Sequence, residues 1–190
     1  MNYLKSGGSW VKIGKYRNQL LIIMLAVGFF VGVLYQNVVA KQFGVSIQIF
    51  QSYFLNQYKQ TKFVAEEYIW YVLKARLWPF VMLMLLWKLK WKKTISCLMC
   101  LGTGFLLGML MVASLMQLGL KGILLCLGGM LPHMIFYVLA YSVLLLYFYH
   151  YPRRIWSPVK SIFVVLMMVL GMITETYLNP YFVKWIIGGF

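Results

Sequence analysis

Long runs of apolar residues alternate with short basic stretches along the whole 190-residue chain. A helix rises 1.5 Å per residue, so a run of about 20 apolar residues can cross a hydrocarbon layer of about 30 Å. Five such runs are present if the lysines, arginines and tryptophans at their ends lie at the membrane interface. The predicted spans cover residues 20–40, 69–89, 94–118, 123–149 and 159–178. The pattern therefore predicts an all-α, polytopic membrane helix bundle.

The distribution of Lys and Arg predicts how these spans are oriented. With five spans and a cytoplasmic N-terminus, the inner segments carry 11 of these residues and the outer segments carry 7. Short inner loops are normally the more basic ones. The second span, 69–89, is the least apolar, but without it the four lysines of segment 88–93 would face outwards. We therefore expect a multi-pass protein of the cell membrane, with a basic cytoplasmic N-terminus at 1–18 and one transmembrane domain at 19–190.

Segment 41–68, between the first two spans, has a different pattern. It mixes Gln, Tyr, Lys and Phe, and its larger side chains recur at helical spacing, as in Phe50, Phe54 and Tyr58. This favours an amphipathic helix in the membrane interface, although a solvated loop fits almost as well. As a long outer segment it is also the predicted surface for a partner protein, with these three aromatic residues as contacts. The competing interpretation is a lipid anchor.

Composition narrows the possible functions. Hydrophobic residues make up 63% of the chain and charged residues 11%, which excludes a soluble globular domain and a disordered chain. Only three acidic residues face 18 basic ones, so no catalytic site, cofactor or metal site is expected. The basic residues lie between apolar runs without base-reading neighbours. This arrangement points to anionic lipid headgroups and membrane topology, not to nucleic acid.

His133 and Glu175 remain as functional candidates, because ionisable residues inside a membrane are rare. His133 follows Pro132, and we expect its ring to bond a backbone carbonyl that the proline leaves free. Glu175 lies towards the far end of the fifth span, where we expect it to be hydrated. The pair Cys97 and Cys100 has metal-site spacing, but no second pair accompanies it, so we expect it to pack in the bundle.

Glycine spacing is the most organised signal in the sequence. Gly28 and Gly32 lie four residues apart in the first span, and Gly104 and Gly108 do so in the third. Small residues at this spacing let two helix backbones approach closely. The sequence therefore predicts close helix contacts, either within the chain or between chains of a homo-oligomer. Gly119 is predicted to lie in a tight turn between the third and fourth spans.

The order of these motifs resembles the stage II sporulation protein M family of five-span membrane proteins. The resemblance covers roughly residues 20–178 and includes the glycines of the first and third spans and the element Leu131-Pro132-His133. Many relatives continue with a glycine, a glutamate and a second proline. This chain has Met134, Tyr137 and Leu139 at those places, so it lacks that carboxylate.

The resemblance implies a non-catalytic membrane scaffold. Its partners would be cell-wall hydrolases at the septal membrane during sporulation engulfment, namely the stage II sporulation proteins D and P. The alternative is a membrane component of a transporter, either a small permease or a subunit that works with an ABC transporter ATPase. A transporter should place polar side chains along a path at mid-membrane.

Overall fold

The computed structural model describes residues 7–43, 50–61, 64–85, 91–151 and 156–189, and all its secondary structure in these ranges is helical. Among the described residues, five helices are long and apolar enough to cross a membrane. The predicted all-α bundle is thereby confirmed, and the chain is a multi-pass membrane protein. The elements, in chain order, are α1 (Gly7–Phe43), α2 (Ser52–Gln60), α3 (Ala65–Leu85), α4 (Lys92–Leu118), α5 (Leu120–His150), α6 (Pro158–Ile173), a π-helical turn (Thr174–Leu178) and α7 (Asn179–Gly188).

The last spanning helix is longer than the sequence predicts. The prediction ended it at residue 178, before Asn179 and Pro180, but α6, the π turn and α7 form one continuous helix over Pro158–Gly188. In the π turn the N–H of Asn179 bonds the carbonyl of Thr174, five residues back. Pro180 has no N–H to donate. The wider π turn just before it lets the helix continue through this position.

Helices α1 and α4 pack closely through the four glycines of the two predicted spans. A Cβ atom on Gly28 would collide with the carbonyl oxygen of Leu101, and one on Gly32 with that of Phe105. Gly104 and Gly108 meet the backbone of α1 in the same way, at Leu25 and Phe29. The expected close contact therefore lies within the chain. Because residue numbers rise together along both helices, α1 and α4 are parallel.

Parallel α1 and α4 require an odd number of crossings between them, and α3 is the described helix between them that is long and apolar enough to cross. Helix α5 then returns antiparallel to α4 through Gly119, whose φ of +63° suits glycine. The largest apolar core lies where α5 packs against α6 and α3, around Tyr137, Leu144 and Val164. Helix α3 is sparsely packed: Val72 and Leu83 are the two buried residues in it.

Helix α2 lies across one end of the bundle, called here the α2 end. Phe50 and Leu55 are buried against Ala113, Leu125 and Ile187, which belong to α4, α5 and α7. The half-buried Tyr58 packs on the same cluster, and burial raises the pKa of its hydroxyl to about 12. The apolar face of α2 is thus used to hold it on the bundle.

Candidate functional site

An ion pair joins α3 to the π turn near the middle of the bundle. The Nε atom of Arg76 donates to Oε2 of Glu175 over 2.8 Å, and Nη2 donates to Oε1 over 2.6 Å. Such a bidentate pair is stronger and more directional than a single charged hydrogen bond. The Glu175 side chain is 11% exposed and that of Arg76 34%.

Tyr137 on α5 completes the arrangement. Its hydroxyl donates to Oε2 of Glu175 over 2.7 Å, and its ring lies 5.0 Å from the guanidinium carbon of Arg76. The ring reaches this position because Gly171 faces it: a Cβ atom there would come within 2.6 Å of the ring carbon Cε1. We call Arg76, Glu175 and Tyr137 the charge cluster.

The charge cluster lies deep in the membrane-spanning part of the bundle. Arg76 is about 16 Å along α3 from Ala65 and about 14 Å before Leu85, at 1.5 Å per residue. Glu175 also lies near the middle of its continuous helix, Pro158–Gly188. The expectation that Glu175 is hydrated near a helix end is therefore wrong, because the helix continues past it and the residue is buried.

His133 lies one turn before Tyr137 on α5 and is buried. Its ring meets the Tyr137 ring edge-on, with centroids 5.8 Å apart. The expected bond to a backbone carbonyl is absent for Nδ1, which has no hydrogen-bond partner in the described part of the chain. Pro132 lies inside α5 and Leu131 is exposed, so His133 is the member of this element that faces the core.

Hydroxyl groups support the π turn that carries Glu175. The Thr174 hydroxyl donates to the carbonyls of Leu170 and Gly171, both over 2.9 Å. The Thr176 hydroxyl donates to the carbonyl of Met172 over 2.8 Å. Thr hydroxyls inside helices often bond carbonyls three or four residues earlier in this way. π turns occur frequently at functional sites.

The other predicted site residues lie apart from the charge cluster. The glycines at 28, 32, 104 and 108 form the contact between α1 and α4. Phe50 and Tyr58 face the bundle, so of the predicted aromatic contacts only Phe54 is exposed, with Tyr53 beside it. Among the described residues, no group of three His, Cys, Asp or Glu side chains could hold a metal ion.

Arg76 and Tyr137 were missed as site residues. Arg76 belongs to the basic flank before the apolar centre of the second span, and Tyr137 stands out in the sequence only as a departure from a family pattern. A usable signal existed: Arg76 lies in the sequence between aromatic and apolar residues that continue to Leu86. No family model, curated protein or solved structure matches this chain.

Proposed function

We propose that the chain is a non-catalytic integral membrane scaffold that holds partner proteins of the cell envelope. The observation that carries the proposal is that both oxygens of the Glu175 carboxylate are hydrogen-bonded within the charge cluster. Both carboxylate oxygens of Glu175 accept hydrogen bonds, from Arg76 and from Tyr137. A carboxylate bound in this way connects three helices and is poorly placed to act as a general acid or base.

The α2 end supports the proposal because α2 is packed against the bundle and exposes aromatic side chains. Phe50 and Leu55 hold α2 against the bundle, while Tyr53 is 77% exposed and Phe54 42% exposed. Lys184 of α7 also donates to the carbonyl of Thr61, just after α2. Exposed aromatic residues on a rigid support are typical of binding hot spots.

The direction of the chain and the partners are part of the same proposal. The 11-to-7 distribution of Lys and Arg supports a cytoplasmic N-terminus, which puts α2 outside the cell. The resemblance to the stage II sporulation protein M family suggests cell-wall hydrolase partners at the septal membrane. The stage II sporulation proteins D and P are therefore the first proteins to test.

The test is co-purification of those two proteins with the tagged full-length chain from membranes. Tyr53→Ala with Phe54→Ala should lower partner recovery at least tenfold. Tyr181→Ala with Phe182→Ala, on α7, removes the same exposed side-chain types near the same end and is the matched control. Unchanged partner recovery combined with altered membrane fractionation would identify α2 as a lipid anchor and contradict the proposal.

A second function, a membrane component of a transporter, is favoured by one observation. Arg76, Glu175 and the buried His133 bring ionisable groups together near mid-membrane, where such groups mark ion and proton pathways. Proteoliposomes containing a pH-sensitive dye would test it under an imposed potassium gradient. A proton flux that Glu175→Gln abolishes would favour transport, and no flux above that of empty vesicles would exclude this proton pathway.

A further inference from the structure

Arg76 uses only part of its hydrogen-bonding capacity. A guanidinium has five N–H groups, and two of them point to Glu175. A hydrogen bond to the Tyr137 hydroxyl accounts for at most one more N–H group, and about a third of the Arg76 side chain is exposed. An N–H group that meets hydrocarbon without an acceptor costs several kcal/mol. The side chain cannot turn towards the membrane surface, because Glu175 holds it inwards.

An unused acceptor lies beside these donors. Pro79 is inside α3 and has no N–H, so the carbonyl of Ala75 lacks its usual helical partner. Ala75 is exposed and directly precedes Arg76 in the helix. Adjacent residues of α3 therefore offer a hydrogen-bond donor, Arg76, and a hydrogen-bond acceptor, the Ala75 carbonyl, to a molecule that packs against this helix.

The exposed neighbour of Arg76 one turn further along α3 is Pro79. On a helical projection Pro79 and Phe80 flank Arg76, at about 60° on one side and about 40° on the other. Phe80 packs against the core, whereas Pro79 is exposed. Exposed residues continue on the same side at the spacing of a helix-packing stripe. The members of this stripe are Tyr71, Ala75, Trp78, Pro79 and Met82.

We propose that a second copy of this chain covers this stripe, with the two α3 helices parallel about a two-fold axis normal to the membrane. An N–H of Arg76 then donates to the Ala75 carbonyl of the second copy, and the second copy's Arg76 returns the bond. A two-fold interface uses the same patch on both subunits and needs donor and acceptor on that patch. Glu175 neutralises each Arg76, so the two copies do not repel, and the small Ala75 allows close approach. The proposal does not depend on the proposed function.

Disulfide cross-linking in vesicles of phosphatidylethanolamine and phosphatidylglycerol tests the geometry. The full chain would carry Cys97→Ala, Cys100→Ala and Cys126→Ala, one new cysteine, and several thousand lipids per chain. Ala75→Cys and Met82→Cys should give covalent dimers on mild oxidation. Leu77→Cys, at the same depth on the opposite side of α3, is the control and should give at least tenfold less. Equal yields from both sides, or no dimer from either, would overturn the proposal.

Photobleaching counts of single labelled chains in the same vesicles test the chemistry. Pro79→Ala returns an N–H to the Ala75 carbonyl without touching a charge, and should weaken dimerisation severalfold. Arg76→Met combined with Glu175→Met removes the donors without leaving a lone charge, and should weaken it at least tenfold. The proposal is overturned if the chains are monomers at every density and Ala75→Cys reacts with a water-soluble maleimide. Water in a crevice, not a second copy, would then cover Arg76. Pro79→Ala remains the decisive variant if the double variant fails to fold.

Discussion

Glu175 remains a charged group in the core because its donors come from two other helices. Arg76 supplies a compensating charge from α3, and Tyr137 supplies a neutral hydroxyl from α5. Removing Arg76 or Glu175 alone leaves the other charge without its counter-charge, which costs more than the intact pair contributes. The cluster therefore links the stability of α3 to that of α5 and the last spanning helix.

Glu175→Gln should lower the free energy of unfolding by about 2–3 kcal/mol, because it leaves Arg76 without a counter-charge. Thermal unfolding of the purified chain in detergent measures the loss. Arg76→Met combined with Glu175→Met is expected to be more stable than Glu175→Gln alone. If the double variant loses as much stability as Arg76→Met and Glu175→Met lose together, the two charges are not coupled.

Tyr137→Phe should lower the free energy of unfolding by about 1–2 kcal/mol through loss of the hydroxyl donor to Glu175. Gly171→Ala should have a comparable effect with the hydroxyl still present, because its Cβ displaces the ring. Gly188→Ala, where nothing beyond the helix's own nearby backbone lies within 4 Å of the new Cβ, is the control. The same detergent unfolding assay compares them, and full stability in Tyr137→Phe would contradict this role of the hydroxyl.

Sequence reasoning identified Glu175 and His133 but could not join them to their neighbours. Arg76 and Glu175 are 99 positions apart, and no periodic pattern connects residues on different helices at that separation. Lysine and arginine near the end of a predicted span usually reach the membrane interface. This rule predicts the same for Arg76 and gives no reason to expect it in an ion pair. Burial of a charge depends on the partners that tertiary packing supplies, which a single sequence does not reveal.

Among the helix contacts, the pairing of α1 with α4 depends most on one residue type. Backbone atoms of one helix occupy the positions where side chains of the other would begin. Contact at that distance gains dispersion energy along the whole crossing. Because helical spacing alone produces this surface, the sequence was sufficient to predict it. It could not tell a contact within the chain from one between chains.

Gly104→Leu should lower the free energy of unfolding by about 1–3 kcal/mol, because the new side chain forces α1 and α4 apart. Gly102→Leu, two residues away on α4, is the control, since no atom of another helix lies within 4 Å of a Cβ there. Chemical unfolding in detergent micelles can compare the two variants. Equal effects of both substitutions would mean that helix propensity, not the contact with α1, explains the change.

Over the whole molecule, α1 and α4 run in the same direction, so the chain crosses the membrane an odd number of times between them. The sequence predicted a second span only weakly, because Lys74 and Arg76 interrupt its apolar run. The structure places Arg76 near the middle of that helix, in the charge cluster. The number of spans and the class of fold could thus be predicted from the sequence. The ion pair with Glu175, which allows a helix with Arg76 near its middle to cross the membrane, could not.

Accessibility labelling of single cysteines in a cysteine-free chain tests the topology in cells. Gln57→Cys, on the exposed side of α2, should react with a membrane-impermeant maleimide from outside. Ser6→Cys should react only after the membrane is permeabilised. The reverse pattern would show that the N-terminus is outside and would invert the proposed orientation.

The glycine contact between α1 and α4 also has a consequence for how the protein is made. The backbone surface that receives Gly28 belongs to a helix translated roughly 75 residues later, which takes roughly 4–15 s at usual rates of synthesis. During that interval the first helix must remain in the bilayer with its glycine face uncovered. Until α4 is made, this glycine face has no partner in α4, so lipid or the insertion machinery has to cover it.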